Sequence, residues 1–457
     1  MITGEQAGER RSLHGGALRP VNVLAIAIAA ISPTTSVFLV YGTGLASAGT
    51  GVIWAFIIGA VIALAMAFCY AEVGGMFPSA GGAYTIVRRA LGPVFGGVTT
   101  ILFLVLGVVV TASILVAAAT YLDQVTGTSM SVGWLAFGMM VLITILSMEK
   151  ISPTSWVTGL MLVLELTVIL VFTAFCLGHV SLGSDAFTHP SLPASHGDEL
   201  IAVGASGMIA AIVPALFAFN GYDWPLYFAE ESRGSRRTLP RAVMLAAVIS
   251  VVVEVLAVIA ATYAIKDLSA TTASAAPLSD ISSRVMGSTG GKILLIGVVI
   301  AMFDTGLAGN LAYARIYYAA ARDGMWPKPL NPFFGHLTKR TQVPVWGFAV
   351  LFVGNAVLCI FTSLNNLITF TGVVIVIIYL LVAVSALVCR VRDKGLPRAF
   401  RMPLWPVPPL IAIAGVIVAL TQQSAEDLWI AFGITGVSLI GYFAARRWLP
   451  PAEKEAA

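Results

Sequence analysis

Ile31-Ser32-Pro33-Thr34-Thr35-Ser36 lies in the middle of an apolar run that begins at Val21 and continues to about Ser47. Its reading decides the fold. A proline here has no N–H to donate and its ring blocks the preceding turn, so a helix through this run must break. A second interruption, Phe217-Ala218-Phe219-Asn220-Gly221-Tyr222-Asp223-Trp224-Pro225, falls inside a later apolar run. Irregular backbone at membrane depth is tolerated only where protein or a water-filled cavity satisfies it. Two interrupted helices at corresponding positions of two halves point to the solute site of an inverted-repeat transporter. Two unrelated proline kinks are the plainer alternative.

Composition puts both runs in lipid. Hydrophobic residues make up 58% of the chain and charged residues 11%, against roughly a quarter charged in globular chains. Apolar stretches near the ~20 residues that cross a bilayer recur throughout. Runs and breakers predict about twelve helices, near 20–47, 51–75, 94–122, 131–149, 152–178, 203–230, 239–265, 291–322, 343–362, 365–390, 404–423 and 427–448. The runs are continuous, not the ~10-residue alternating segments of a β-barrel. Arg19 and the following Val21–Ile31 imitate a signal peptide, but the run continues past Pro33 and reads as the first membrane helix.

Charge supplies an independent check. With the N-terminus cytoplasmic, only Lys266, Arg284 and Lys292 of the 26 lysines and arginines fall on the far side. Positive residues concentrate in cytoplasmic loops, so both termini are expected in the cytoplasm. The expected organisation is a tail over 1–19, a first repeat over 20–180, an external loop over 181–202, a second repeat over 203–391, two helices over 392–448 and a tail over 449–457.

Five carboxylates, Glu72, Glu165, Asp223, Glu254 and Asp304, stand at or near membrane depth, and no lysine or arginine does. A central charge costs roughly 2.5–3.5 kcal/mol on insertion scales. These groups are therefore expected to be protonated, hydrated or paired with a visiting cation. That favours proton or cation coupling, or an amine-bearing substrate. Glu254 is read as bonding neighbouring helices.

Other classes fare poorly. The net charge of +4 says nothing of nucleic acid, and none is expected as a partner. The four cysteines sit in or at the ends of apolar runs and read as buried small hydrophobes. His179, His189 and His196 share a loop without zinc-ligand spacing, so neither a metal nor a cofactor is expected. Gly291-Lys292 is followed by isoleucine, so no phosphate-binding loop drives the protein with ATP. No symmetric lining or filter motif suggests a channel, and no His-Glu-x-x-His set suggests an enzyme.

Three stretches carry a family resemblance. They are Ala71-Glu72-Val73-Gly74-Gly75-Met76-Phe77-Pro78-Ser79-Ala80-Gly81-Gly82-Ala83-Tyr84; Phe219-Asn220-Gly221-Tyr222-Asp223 with Ala229-Glu230-Glu231 and Pro240-Arg241-Ala242; and Arg315-Ile316-Tyr317-Tyr318-Ala319-Ala320-Ala321-Arg322-Asp323-Gly324. With the helix count they resemble the amino acid–polyamine–organocation (APC) superfamily, in particular its bacterial amino acid and polyamine permeases. The resemblance implies an all-α integral membrane fold, a leucine-transporter-type 5+5 inverted repeat plus two C-terminal helices. It also implies alternating-access transport of a small amino acid or amine, with H+ or Na+ as coupling ion.

Carried onto this chain, the resemblance places the substrate against Ser32, Thr34, Thr35 and Ser36 of the first break and Phe217, Phe219, Asn220, Gly221, Tyr222 and Asp223 of the second. Asp223 doubles as an ion-coupling residue with Glu165, Asp304 and Thr305. Two departures stand out. Many relatives carry glycines in the first break, where this chain has Pro-Thr-Thr-Ser, as some polyamine and amine importers do. Several carry a lysine in helix 5 that mimics sodium, a part Glu165 cannot play. At the cytoplasmic end Glu72 and Arg88, with Arg89 beside it, read as a latch or as plain packing, and Arg322 as a gate residue or a helix terminus.

Overall fold

A computed structural model describes residues 20–79, 81–148, 155–194, 199–229, 232, 234–326, 330–338, 341 and 343–445. The predicted tails, together with Glu230, Glu231 and His196, lie outside the described residues.

The chain is almost wholly helical. In order, α1 is Pro20–Ile31, α2 Pro33–Ala48, α3 Val52–Met76, α4 Ala83–Leu91, α5 Pro93–Thr126, α6 Val132–Met148 and α7 Ser155–Gly178. After a loop come α8 (Asp185–Thr188), α9 (Ala205–Ala210), α10 (Ile212–Ala218), α11 (Ser235–Tyr263), α12 (Leu268–Ala273) and α13 (Pro277–Arg322). The remainder is α14 (Asn331–Phe334), α15 (Val345–Phe361), α16 (Leu364–Arg392), α17 (Val407–Leu420) and α18 (Ala425–Ala445). Ala27–Met76, Pro93–Thr126, Leu160–Gly178, Ser235–Tyr263, Pro277–Arg322 and Leu364–Arg392 are long and apolar enough to cross a membrane, and α6, α15 and α17 are shorter apolar helices.

Large apolar side chains face outward from many of these helices, among them Val163, Val252, Ile293, Val353 and Phe361, the last 80% exposed. An aqueous protein rarely shows so much apolar surface. Lipid accepts it, and the molecule is a multi-pass membrane protein.

Most predicted boundaries fall within a few residues of those observed. The helix predicted from 291 instead extends back to Pro277, with non-helical backbone at Gly287 (φ 74°, ψ 163°). The polar stretch before Gly291 reads as loop by composition, yet it forms a short helix ahead of the span. The predicted external loop also holds structure. Ser191–Pro193 (β1) and Leu200–Ala202 (β2) pair antiparallel, Ser191 opposite Ala202. The hairpin lies over the α2–α3 corner, where the Ser191 amide donates to Thr50 Oγ1 at 2.9 Å. All four cysteines are buried and free.

Around the centre, α10 packs against α2, α3 and α16, while α13 packs against α2, α5 and α7. The interrupted elements are thus enclosed by long helices.

Candidate substrate and ion site

Both interruptions are real, and they touch. Ser32 takes left-handed backbone (φ 46°, ψ 77°) between α1 and α2, and Pro33 opens α2 at its first position. Proline fits there because the first helical amides have no intrahelical acceptor anyway. In the second interruption α10 ends at Ala218, a turn follows, and a 3-10 helix resumes at Trp224–Phe228. Gly221 sits at φ +123°, where a Cβ would meet the Ala30 carbonyl oxygen at 2.9 Å. Only glycine allows both that backbone and that approach. Ser36 Oγ lies 2.7 Å from the Ile31 carbonyl and 2.7 Å from the Ala218 carbonyl. Breaking a helix orphans its last carbonyls, and one hydroxyl serves the orphans of both.

The rest of the first break turns toward α7 and α13. Ser32 Oγ donates within reach of Glu165 Oε1 (2.8 Å) and Thr35 Oγ1 (2.7 Å). Thr34 Oγ1 donates to the Glu165 carbonyl at 2.6 Å. Thr35 and Thr305 hydroxyls are 3.0 Å apart, and Thr305 Oγ1 stands 3.5 Å from Glu165 Oε1. Glu165 is fully buried and its Oε2 has no hydrogen-bond partner. Among the predicted coupling residues, Glu165 and Thr305 therefore meet, with Ser32 and Thr35 between them. Asp304, next to Thr305, is only half-buried.

Asp223 occupies different surroundings. Its Oδ2 accepts from the Tyr227 hydroxyl at 2.6 Å, while its buried Oδ1 has no partner. It lines a small cavity together with Asn220 and Trp224 from its own break. Tyr70 of α3, Phe103 of α5, Tyr313 of α13 and Tyr379 of α16 complete the aromatic part of the wall. Asn220 Nδ2 donates to the Tyr379 hydroxyl at 3.0 Å. None of the hydroxyls of the first break lines this cavity.

The other predicted residues of the second break pack. Phe219 meets Phe56 edge-on at 5.7 Å, Tyr222 sits against Tyr70 and Tyr379, and Phe217 is buried. Sequence reasoning missed Tyr70, Tyr227, Tyr313 and Tyr379. Each lies in an apolar run where a tyrosine costs little notice, though Tyr227, four residues past Asp223, carried a helical-spacing signal.

At the C-terminal end of α3 the predicted partner of Glu72 is corrected. Arg390 Nη1 donates to Glu72 Oε1 at 2.6 Å, and the Met402 amide donates to Oε2 at 2.8 Å. Arg398 Nε stands 3.1 Å from Oε1 as a close ion pair, without the alignment of a hydrogen bond. Arg88 and Arg89 are carried off by α4. The Arg88 side chain lies over Gly96, and the Arg89 guanidinium sits 5.1 Å above the Phe77 ring. Glu72 is thus not without cations, contrary to the expectation for all five carboxylates. The arginines come from a segment more than three hundred residues away, where no local pattern could announce them. Arg322 pairs with Asp323 at 3.3 Å, and Asp323 Oδ2 accepts from buried Tyr84 at 2.8 Å.

Glu254 is corrected as well. Neither of its oxygens has a hydrogen-bond partner, although it is fully buried in α11. It does not bond a neighbouring helix.

Broken helices enclosed by long apolar ones, with buried carboxylates beside the breaks, define a membrane permease. The sequence model described as "Amino acid permease" matches residues 18–445, and the chain belongs to that family. It is similar to the branched-chain amino acid permease of Bacillus subtilis, at 26% identity over 409 residues, covering 83% of this chain and 82% of that one. The branched-chain amino acid permease of Lactococcus lactis is 26% identical over 430 residues, covering 88% and 89%. The serine/threonine exchanger of B. subtilis is 22% identical over 421 residues, covering 88% and 91%.

Proposed function

We propose that this protein is a secondary permease that moves amino acids across a cell membrane by alternating access. The observation that carries the reading is the contact between two interrupted helices, joined through Ser36 and through Gly221 against Ala30. On this reading twelve spans cross the bilayer with both termini cytoplasmic. The stretches 20–180 and 203–391 form two inverted repeats, each opening with its broken helix. The relatives named for amino acid transport support the substrate class.

The first turn of α2 offers backbone amides to a carboxylate, in the manner of helix N-termini. Asp223 and the Glu165–Thr305 cluster, where no lysine or arginine is hydrogen-bonded to either carboxylate, handle the coupling proton or cation. Protons suit a carboxylate that gains and loses its charge as its surroundings hydrate.

A second reading, an importer of organic amines, is favoured by one observation. The wall around Asp223 is acidic and aromatic, with no lysine or arginine among its residues.

Proteoliposome uptake of labelled amino acids and amines, with proton and sodium gradients imposed separately, tests both. At least one amino acid should accumulate under one gradient. Accumulation of amines alone would establish the second reading, and uptake of neither under any gradient or counter-substrate would end both.

A further inference from the structure

We infer that the loop between α7 and α9 is a strap. It binds one end of α2, α3, α9 and α11 into a single body that does not come apart while the solute crosses. The inference rests on the permease reading and goes beyond it, because it says which elements stay together during alternating access.

The chain from Gly178 to Ala205 touches each of those elements in turn. Tyr263 ends α11, and its carbonyl accepts from the Ser181 and Leu182 amides at 2.8 and 3.1 Å. Such a carbonyl has no amide of its own helix to meet. Trp54, in the first turn of α3, donates from Nε1 to the Phe187 carbonyl at 2.9 Å, and the two rings lie 4.5 Å apart. The Thr50 hydroxyl that accepts the Ser191 amide belongs to a residue only 2% exposed. The Val203 amide closes the hairpin onto the Pro190 carbonyl at 2.9 Å, and α9 begins two residues later. Loops usually run over the surface with their backbone in water. This one gives its polar groups to the helices beneath it.

Close backbone approach then locks the corner. Gly49 sits at φ +51°, and a Cβ there would strike the Ser191 carbonyl oxygen. A Cβ at Gly207 of α9 would meet the Ser47 carbonyl oxygen of α2 at 2.7 Å. Only glycine permits contacts this near. Gly51 lies between hairpin and α9, with Pro190 Cβ 3.4 Å and Met208 Cγ 3.1 Å from the place its own Cβ would take. The hairpin, the α2–α3 corner and α9 therefore meet at one point.

The consequence is mechanical. α2 follows the first break, and α9 with α10 precedes the second. Tied through the strap, these two stretches cannot separate. The opening at this end forms instead between the strapped body and the helices outside it.

The test uses the full-length protein in proteoliposomes and the amino acid that the uptake panel identifies. Gly51→Cys with Pro190→Cys sets two thiols close to the Cβ separation of a disulfide, roughly 3.5–4.5 Å, while the native cysteines are buried. Oxidation should leave the initial rate of uptake unchanged. A fall that reductant reverses would mean that the hairpin lifts from the corner in each cycle, which overturns the strap. Thr50→Val with Trp54→Phe removes two of the strap's hydrogen bonds. Uptake should then fall about fivefold or more, the rate equivalent of two ordinary bonds. In the protein with all four substitutions that loss should appear under reductant and be recovered on oxidation, which general damage to the fold would not allow. Wild-type rates in the Thr50 and Trp54 double variant, or no recovery on oxidation, also overturn the inference. Should the cysteine pair fail to fold, that double variant decides alone. Absent uptake by the unaltered protein rejects the permease reading, whereas unaltered uptake in the loosened variant rejects only the strap.

Discussion

Glu72 and Asp223 are carboxylates of nearly equal burial, 2% and 3% exposed, and the chain treats them in opposite ways. Glu72 is met by two arginines and a backbone amide drawn from α16 and the segment after it. Asp223 is met by one tyrosine hydroxyl, and its second oxygen faces no partner. Removing a charge from water is costly, and a pair recovers that cost only with good geometry and further hydrogen bonds. Where the protein supplies the countercharge itself, the carboxylate works as a fastener. Where it withholds the countercharge, one carboxylate oxygen is left without a partner.

The sharpest way to break this contrast is Asp223→Asn. Gradient-driven uptake should fall to background while the thermal unfolding temperature holds or rises, since a buried charge has gone and the volume is unchanged. Wild-type accumulation in that variant would place Asp223 among the fasteners. Glu72→Ala should do the reverse. It strands Arg398, which is almost wholly buried, and breaking such a pair costs ~3–5 kcal/mol. The readout is a large drop in unfolding temperature, and an unshifted melt would show that the cluster fastens nothing.

Gly221→Ala probes whether the Asp223 side depends on the break beside it. A side chain at φ +123° meets the Ala30 carbonyl, and backbone strain of this kind costs ~1–3 kcal/mol. Both uptake and melting temperature should decline together; loss of neither would mean the two breaks tolerate separation. The smallest effect is expected at Glu254. Glu254→Leu removes an unpartnered buried carboxyl, so stability should rise by about 1 kcal/mol or stay level while uptake persists. Lost uptake would move Glu254 into the same class as Asp223.

Much of this was legible in the sequence, for identifiable reasons. Pro33 and the Asn220-Gly221 pair are local backbone signals, and local signals survive in one dimension. Helix spans followed from apolar length. The pairing of Glu72 did not, because its arginines are set by how α16 ends and how the following segment folds back. The hydroxyls of Ser32 and Thr35 were flagged as substrate contacts and are engaged with Glu165 and Thr305 instead. Sequence could nominate each of these groups but could not say which faces meet. Most of the aromatic wall around Asp223 was invisible for the same reason, since Tyr70, Phe103, Tyr313 and Tyr379 come from α3, α5, α13 and α16.

Ser36 has one further implication. A hydroxyl owns a single hydrogen, yet two carbonyls, Ile31 and Ala218, stand equally near it. They must share it. Were either half-helix to swing away, the hydrogen could stay with the other. The joint between the two interrupted helices can therefore come undone on one side without leaving the opposite carbonyl bare.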